Sequence, residues 1–173
     1  KRDYRGARAL VEEALGLRPD DSFLLAYEVF LLLRLGRTAE ARRLAEERLE
    51  ALGRDPFFIK TYADVLAKQG AAADLETFIE RRLLARPVAG RRDEDALVFA
   101  LRRAAGLLGR DRVADLAAAA LALAPGSRAL ASLPGELRGR EPPADEPGRY
   151  RYYVERFSGR DPAEAAAEIE DLR

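Results

Sequence analysis

The sequence predicts an all-α fold built from antiparallel helix pairs that repeat along the chain. Three observations support this prediction. Apolar residues recur with the period of an amphipathic helix, equivalent residues recur 34 positions apart, and glycine and proline fall singly between the helical stretches. Hydrophobic residues make up 48% of the 173 positions, which is enough to supply a core along the repeats.

The first two elements are a half repeat over residues 3–21 and a full unit over residues 22–55. The half repeat ends at Pro19, because proline cannot continue a helix. In the full unit, apolar residues between positions 41 and 52 lie on one helical face and charged residues on the other. The positions that share the 34-residue spacing are Ala7, Ala41 and Leu75; Leu15, Leu49 and Leu83; and Gly36 and Gly70.

The next two units cover residues 56–87 and 94–125. The spacing between Leu83 and Leu121 is 38 rather than 34, and a polar loop over residues 87–94 accounts for the extra positions. Each full unit carries a glycine where its first helix is expected to end in the left-handed conformation that glycine adopts readily. These glycines are Gly36, Gly70 and Gly109.

Beyond Pro125 the repeat pattern fades. Residues 126–148 are predicted to form a short helix and then a linker rich in proline and glycine. Residues 149–173 are predicted to form a helix pair, which could be another divergent repeat. Its second helix is expected to start at Asp161-Pro162, because aspartate caps a helix and proline suits the first helical position.

The first half repeat resembles the tetratricopeptide repeat family. The family pattern is Gly-Asp-Tyr-x-x-Ala followed by Ala-Leu-x-Leu-x-Pro, and this chain matches it at Asp3, Tyr4, Ala7, Ala14, Leu15, Leu17 and Pro19. The resemblance is closest over residues 3–87 and extends in part over residues 94–125. It implies a right-handed α-solenoid that acts as a protein-interaction module or scaffold. Such repeats need neighbours, so a chain that opens with Lys1 inside a repeat is expected to be part of a longer protein.

In this family the first helix of each repeat lines a concave groove that binds peptides. The resemblance places these residues at groove positions: Phe23, Ala26, Phe30, Leu33 and Arg34; Phe57, Lys60, Asp64, Ala67 and Lys68; and Ala96, Phe99, Arg103, Gly106 and Leu107. The candidate partner-binding residues are Phe30, Arg34, Phe57, Lys60, Asp64, Lys68, Phe99 and Arg103. Since this strip is mostly basic with phenylalanine anchors, an acidic peptide or partner helix is expected. The alternative is that the phenylalanines belong to the core and the charges only hydrate the surface.

Composition argues against several functional classes. The 30 basic and 30 acidic residues cancel, which argues against a nucleic-acid partner. The chain has no cysteine or histidine, so thiolate chemistry, most zinc sites and the usual nucleophile–base pairs are excluded. Clusters of carboxylates are interpreted as solvated helix faces. No catalytic, cofactor-binding or metal-binding residues are therefore predicted, and the chain is not expected to be an enzyme. The lack of methionine and cysteine is typical of a GC-rich, bacterial-like genome or of heat adaptation, and we favour the former.

No membrane span is predicted. The longest apolar stretches, residues 29–33 and 116–124, are shorter than the ~20 residues that cross a bilayer. A cytoplasmic location is expected. Because the chain begins with Lys1 and not with methionine, its natural N-terminus, where a signal peptide would stand, is expected to lie upstream.

Two other functions stay open from the sequence. The chain could be a regulatory or substrate-recruiting segment of a larger enzyme, or a self-assembly module that forms homo-oligomers through its repeat ends. Arginine and tyrosine also alternate over residues 149–153, a pattern that could stack nucleobases, although a helix with an aromatic face packed inward is favoured.

Overall fold

The structure, a computed structural model, describes residues 3–138, and their secondary structure is entirely helical. This confirms the predicted all-α class for that part of the chain. Of the described residues, 3–134 belong to one compact unit. The linker predicted after residue 138 and the helix pair predicted over residues 149–173 lie outside the described residues.

The helices follow one another with short connections. In chain order they are α1 (Tyr4–Leu17), α2 (Ser22–Arg34), α3 (Thr38–Leu52), α4 (Pro56–Lys68), α5 (Ala72–Phe78) with a π-helical continuation (Ile79–Leu83), α6 (Arg91–Ala104), α7 (Arg110–Leu123) and α8 (Arg128–Arg138).

Aspartate side chains start three of these helices. The carboxylate of Asp3 accepts a hydrogen bond from the backbone N–H of Gly6, at 2.9 Å. Asp21 and Asp55 cap α2 and α4 in the same way. Each carboxylate satisfies donors that the first turn of a helix leaves without an intrahelical partner, and its charge complements the positive end of the helix dipole.

Glycines with positive φ end α2, α4 and the segment that follows α6. Gly36 and Gly70 have φ of 78° and 66°, which confirms the positive φ predicted for them. Gly109 also has a positive φ, 77°, but its ψ of 164° is extended, so it stands at the N-cap of α7 rather than ending α6 in the left-handed helical conformation. After α2 the N–H of Arg37 reaches back to the carbonyl of Leu32 at 2.9 Å. This six-to-one hydrogen bond satisfies a carbonyl at the end of the helix and turns the chain sharply into α3.

Helices α2, α4 and α6 lie side by side. Helix α4 contacts α2 on one flank and α6 on the other, while α3 packs on α2 and α4, and α5 packs on α4 and α6. The buried core follows this arrangement: Val29, Phe58, Ile59, Leu66, Leu75 and Leu101 are among its fully enclosed side chains. Because α4 packs against four other helices, α2, α3, α5 and α6, it forms the centre of the unit.

Ion pairs join α3, α5 and α7 along a second surface. Arg42 of α3 pairs with Asp74 of α5 at 2.8 Å, and Glu50 of α3 pairs with Arg82 of the π-helical turn. On the other side of α5, Arg112 of α7 pairs with both Glu76 and Glu80. Partners in these pairs lie 32 or 36 residues apart in sequence, so the pairs join helices that are not consecutive in the chain.

Two features differ from the sequence-based expectation. The loop predicted over residues 87–94 is shorter, because α6 already begins at Arg91. The π-helical turn was not predicted. In it the N–H of Leu84 donates to the carbonyl of Ile79 at 2.9 Å, one residue further back than in an α-helix. This turn directs Ile79 and Leu83 into the core while Arg81 and Arg82 stay exposed.

Candidate interaction surface

Four aromatic rings meet where α2 and α4 run side by side. Phe23, Tyr27 and Phe30 occupy successive turns of α2, with ring centroids 5.8 Å and 5.5 Å apart. Phe57 of α4 lies against all three, at 6.5, 6.2 and 5.7 Å. These separations are in the range of favourable aromatic contacts. We call Phe23, Tyr27, Phe30 and Phe57 the aromatic cluster.

The aromatic cluster reaches the surface. The side chain of Phe23 is 65% exposed, and the other three rings are partly exposed. An open cleft of about 410 Å³ adjoins it, lined by Phe23, Asp55, Pro56, Phe57, Lys60, Arg92 and Asp95. The first turns of α2, α4 and α6 therefore share one concave region in which two rings stand beside two cations and two carboxylates.

Basic side chains lie nearer the C-terminal ends of the same three helices. The guanidinium of Arg34 lies 4.9 Å from the centroid of the Phe30 ring, and that of Arg103 lies 4.9 Å from the ring of Phe99. Arg103 also pairs with Asp64 of α4 at 2.5 Å. Lys68 is exposed at the end of α4. We call Arg34, Lys68 and Arg103 the cationic end of the surface.

The structure brings the eight predicted residues to one side of the unit, on α2, α4 and α6. Phe30, Phe57, Lys60, Asp64 and Phe99 are partly exposed, and Arg34, Lys68 and Arg103 are exposed. Three other groove positions implied by the family resemblance are wrong. Ala26, Leu33 and Ala96 are buried, because neighbouring helices cover the side of the helix on which they lie.

Sequence reasoning missed Tyr27 and Arg92. Tyr27 contacts three rings of the aromatic cluster, and Arg92 lines the cleft. A signal for Tyr27 was present, since Phe23, Tyr27 and Phe30 follow each other at four and three residues and so share a helical face. Arg92 had no such signal, because it was assigned to a loop.

A second cleft, between α3 and α5, is internally neutralised. It is lined by Arg42, Glu46, Leu49, Tyr62, Asp74, Thr77, Phe78, Arg81 and Arg82. Arg42 pairs with Glu46 and Asp74. Burial raises the pKa of the Tyr62 phenol, and the hydrogen bond from Arg82 lowers the pKa of Glu50 at the adjoining edge. Most of the charged side chains in this cleft already have ion-pair partners within the chain. The packing of α3 against α5 therefore accounts for the cleft.

Among residues 3–138, no group of three or more metal-ligating side chains is close enough to hold a metal ion. Within the same residues, no helix combines the length and the apolar character needed to cross a bilayer. No protein-family model, curated protein or solved structure matches the chain. Its function must therefore be argued from its own surface.

Proposed function

We propose that this chain is a protein-interaction module of tetratricopeptide-like repeats, which binds a peptide or partner helix on the surface formed by α2, α4 and α6. In this proposal the pairs α2–α3, α4–α5 and α6–α7 are the repeats and stack as a right-handed solenoid. Their packing order and the glycine turn within each pair support that arrangement.

The observation that carries the proposal is the exposed aromatic cluster. Large aromatic side chains gain free energy when they leave water, so a group of rings at the surface is typical of a binding site. Here Phe23 leaves most of its side chain in solvent although a cleft lies beside it. Cations and carboxylates surround the rings, as polar groups surround the apolar centre of a protein interface.

The proposal is tested by affinity capture with the full chain. The native protein, immobilised, is incubated with an extract of its source cells, and retained proteins are identified by mass spectrometry. The surface variant combines Phe23→Ser with Lys68→Glu. Both side chains are exposed, and in the described part of the chain Lys68 has no ion pair, so the fold is expected to persist. Arg103 is left unchanged because it pairs with Asp64.

Arg54→Glu supplies the matched control. Arg54 is exposed and lines a different cleft, beside Arg81 and Arg86. The proposal expects a partner that the native chain and the Arg54→Glu variant retain and that the surface variant loses. Equal retention by all three proteins would show that binding occurs elsewhere on the chain.

Exposed leucines on α1 favour self-assembly as a second candidate. Leu10 and Leu17 are 68% and 81% exposed, and they lie seven residues apart on one helical face. A second copy of the chain could cover this face. Sedimentation analysis tests it: a dimer that dissociates on Leu10→Glu and Leu17→Glu would support the candidate, and a monomer at high concentration would exclude it.

A further inference from the structure

The proposed binding surface has two chemically different ends. Phe23 and Phe57 lie in the first turns of α2 and α4, and the last turns of the same helices present Arg34 and Lys68. The aromatic cluster extends from Phe23 to Phe30, whose ring lies beside Arg34. Phe23 and Arg34 are separated by eleven residues of one helix, which corresponds to ~16 Å at about 1.5 Å per residue. The surface therefore offers an apolar contact at Phe23, its most exposed ring, and a cationic contact at Arg34 about 16 Å away along α2.

Charge is balanced at one end only. The cleft beside the aromatic cluster holds two cations and two carboxylates, Lys60, Arg92, Asp55 and Asp95. The cationic end holds three cations and one carboxylate, Asp64, which already pairs with Arg103. In the described residues, neither Arg34 nor Lys68 has an ion pair. The excess positive charge of the surface is thus concentrated at the C-terminal ends of the helices.

Among the described residues, Arg34 is held in place by an aromatic ring without being neutralised by an ion pair. The guanidinium groups of Arg34 and Arg103 each lie over a phenylalanine ring at 4.9 Å. The ring contacts the flat face of the guanidinium and restrains the arginine side chain. The N–H donors at the edge of the guanidinium stay available to a carboxylate. Because less side-chain entropy is lost on binding, such an arginine is suited to a bidentate pair with an incoming acid.

We infer that the occupant of this surface is a peptide segment with a large apolar side chain at one end and a pair of carboxylates at the other. This inference rests on the proposed function and specifies its partner. The apolar side chain contacts Phe23 at the N-terminal end of the aromatic cluster, and the carboxylates bind Arg34 and Lys68. A span of ~16 Å corresponds to about eleven residues in a helical segment or about five in an extended one.

Selection from a displayed library of random 16-residue peptides tests the inference. The full chain is immobilised and enriched peptides are sequenced. We expect enriched peptides to combine an aromatic or large aliphatic residue with two or more Asp or Glu residues at one of these two spacings. The strongest is then synthesised and its affinity measured against the native chain and its variants.

The double variant Arg34→Gln, Lys68→Gln removes the charges without reversing them, and Arg34→Glu, Lys68→Glu reverses them. We expect the first variant to bind the synthesised peptide roughly tenfold or more weakly than the native chain does, because hydrogen bonds between charged groups are lost. The second is expected to abolish acid enrichment when the selection is repeated. Arg54→Glu should leave the affinity unchanged, and circular dichroism with thermal unfolding checks that each variant is folded.

The outcomes separate the inference from the proposed function. Enriched peptides that are sensitive to Phe23→Ser but lack acidic residues would overturn the inference and leave the proposed function standing. Acidic peptides that bind the Arg34 and Lys68 variants as well as the native chain would overturn it too. No enrichment, enrichment insensitive to Phe23→Ser and to both charge variants, or self-association that covers the rings would overturn both.

Discussion

Phe57 and Phe58 are neighbours in the sequence, yet their side chains leave α4 about 100° apart. Phe57 joins the aromatic cluster, and Phe58 is fully buried, with its ring stacked 6.0 Å from that of Tyr62. At the scale of the single residue, the helical period therefore divides equally apolar side chains between the core and the surface.

The two roles predict different effects on stability. Phe58→Ala removes a fully buried ring and leaves a cavity, so we expect the free energy of unfolding to fall by about 3–5 kcal/mol. Phe23→Ala removes a ring that is 65% exposed, and we expect a loss below about 1 kcal/mol. Urea unfolding of both variants beside the native chain measures the difference. Similar losses would mean that the aromatic cluster is part of the core.

Glu28 is a partly buried acid among other charges. It lies on α2, and Arg8, Glu12 and Arg48 are the charged groups that act on it. Burial is the main reason that the pKa of Glu28 is raised; Glu12 raises it further, while the two arginines lower it. Because its pKa is higher in the folded state, Glu28 holds a proton there at pH values where the unfolded chain has already lost it. The free energy of unfolding therefore falls as pH rises from the usual pKa of a glutamate to the raised pKa of Glu28.

Glu28→Gln should consequently stabilise the protein at pH 7, because the unfolded carboxyl group is ionised at that pH and burial opposes its ionisation in the folded state. The difference in stability between the Gln variant and the native chain should shrink as pH falls below the usual pKa of a carboxyl group, because Glu28 is then neutral in the folded and the unfolded state alike. Thermal unfolding at pH 7 and at low pH measures this. A Gln variant that is less stable at pH 7 would show that attraction to Arg8 and Arg48 outweighs the burial of the charge.

At the scale of the element, the effect of a glycine on stability depends on its position in the helix. Gly70 ends α4 with a φ of +66°, a conformation that alanine adopts with strain. Gly16 lies within α1, and a Cβ added there would meet nothing within 4 Å. The same substitution at these two positions should therefore have opposite effects.

Gly70→Ala is expected to lower the free energy of unfolding by about 1–2 kcal/mol because of the left-handed backbone. Gly16→Ala is expected to raise it by up to about 1 kcal/mol, since alanine loses less backbone entropy in a helix. Denaturant titration of both variants provides the test. Losses at both positions would indicate that α1 is too weakly formed to gain from helix propensity.

At the scale of the whole molecule, the number of neighbours differs along the chain. Helix α4 packs against α2, α3, α5 and α6, whereas the main neighbour of α1 is α2. Local opening exposes fewer buried contacts at α1 than at α4, so the free energy of opening should be lower there.

Native-state hydrogen exchange should show this gradient. Amides of α4 are expected to be the most protected, with free energies of opening that approach the free energy of global unfolding. Amides of α1 should exchange faster. Mass spectrometry of peptic fragments or NMR measures both. Equal protection of the two helices would mean that the unit opens only as a whole. The same gradient would arise in a stack of repeats, in which each unit is stabilised by its neighbours.

Much of the fold could be predicted from the sequence because it follows from local rules. The positive φ at Gly36 and Gly70 depends on residues within one turn of the chain. The π-helical turn at Ile79–Leu83 could not, because nothing in its residue types distinguishes it from α-helix. The early start of α6 was missed because residues 91–94 are all charged and resemble a loop.

For the candidate surface, the sequence by itself determined that aromatic and basic side chains recur on particular helical faces. Packing decided which of them remain accessible: Ala26 and Leu33 are buried, while Phe30 on the same helix is not. It also assembled the aromatic cluster from two helices and set Arg34 over a ring. The physical reason is that helix formation depends on neighbours within about four residues, whereas exposure depends on which distant helix covers each face.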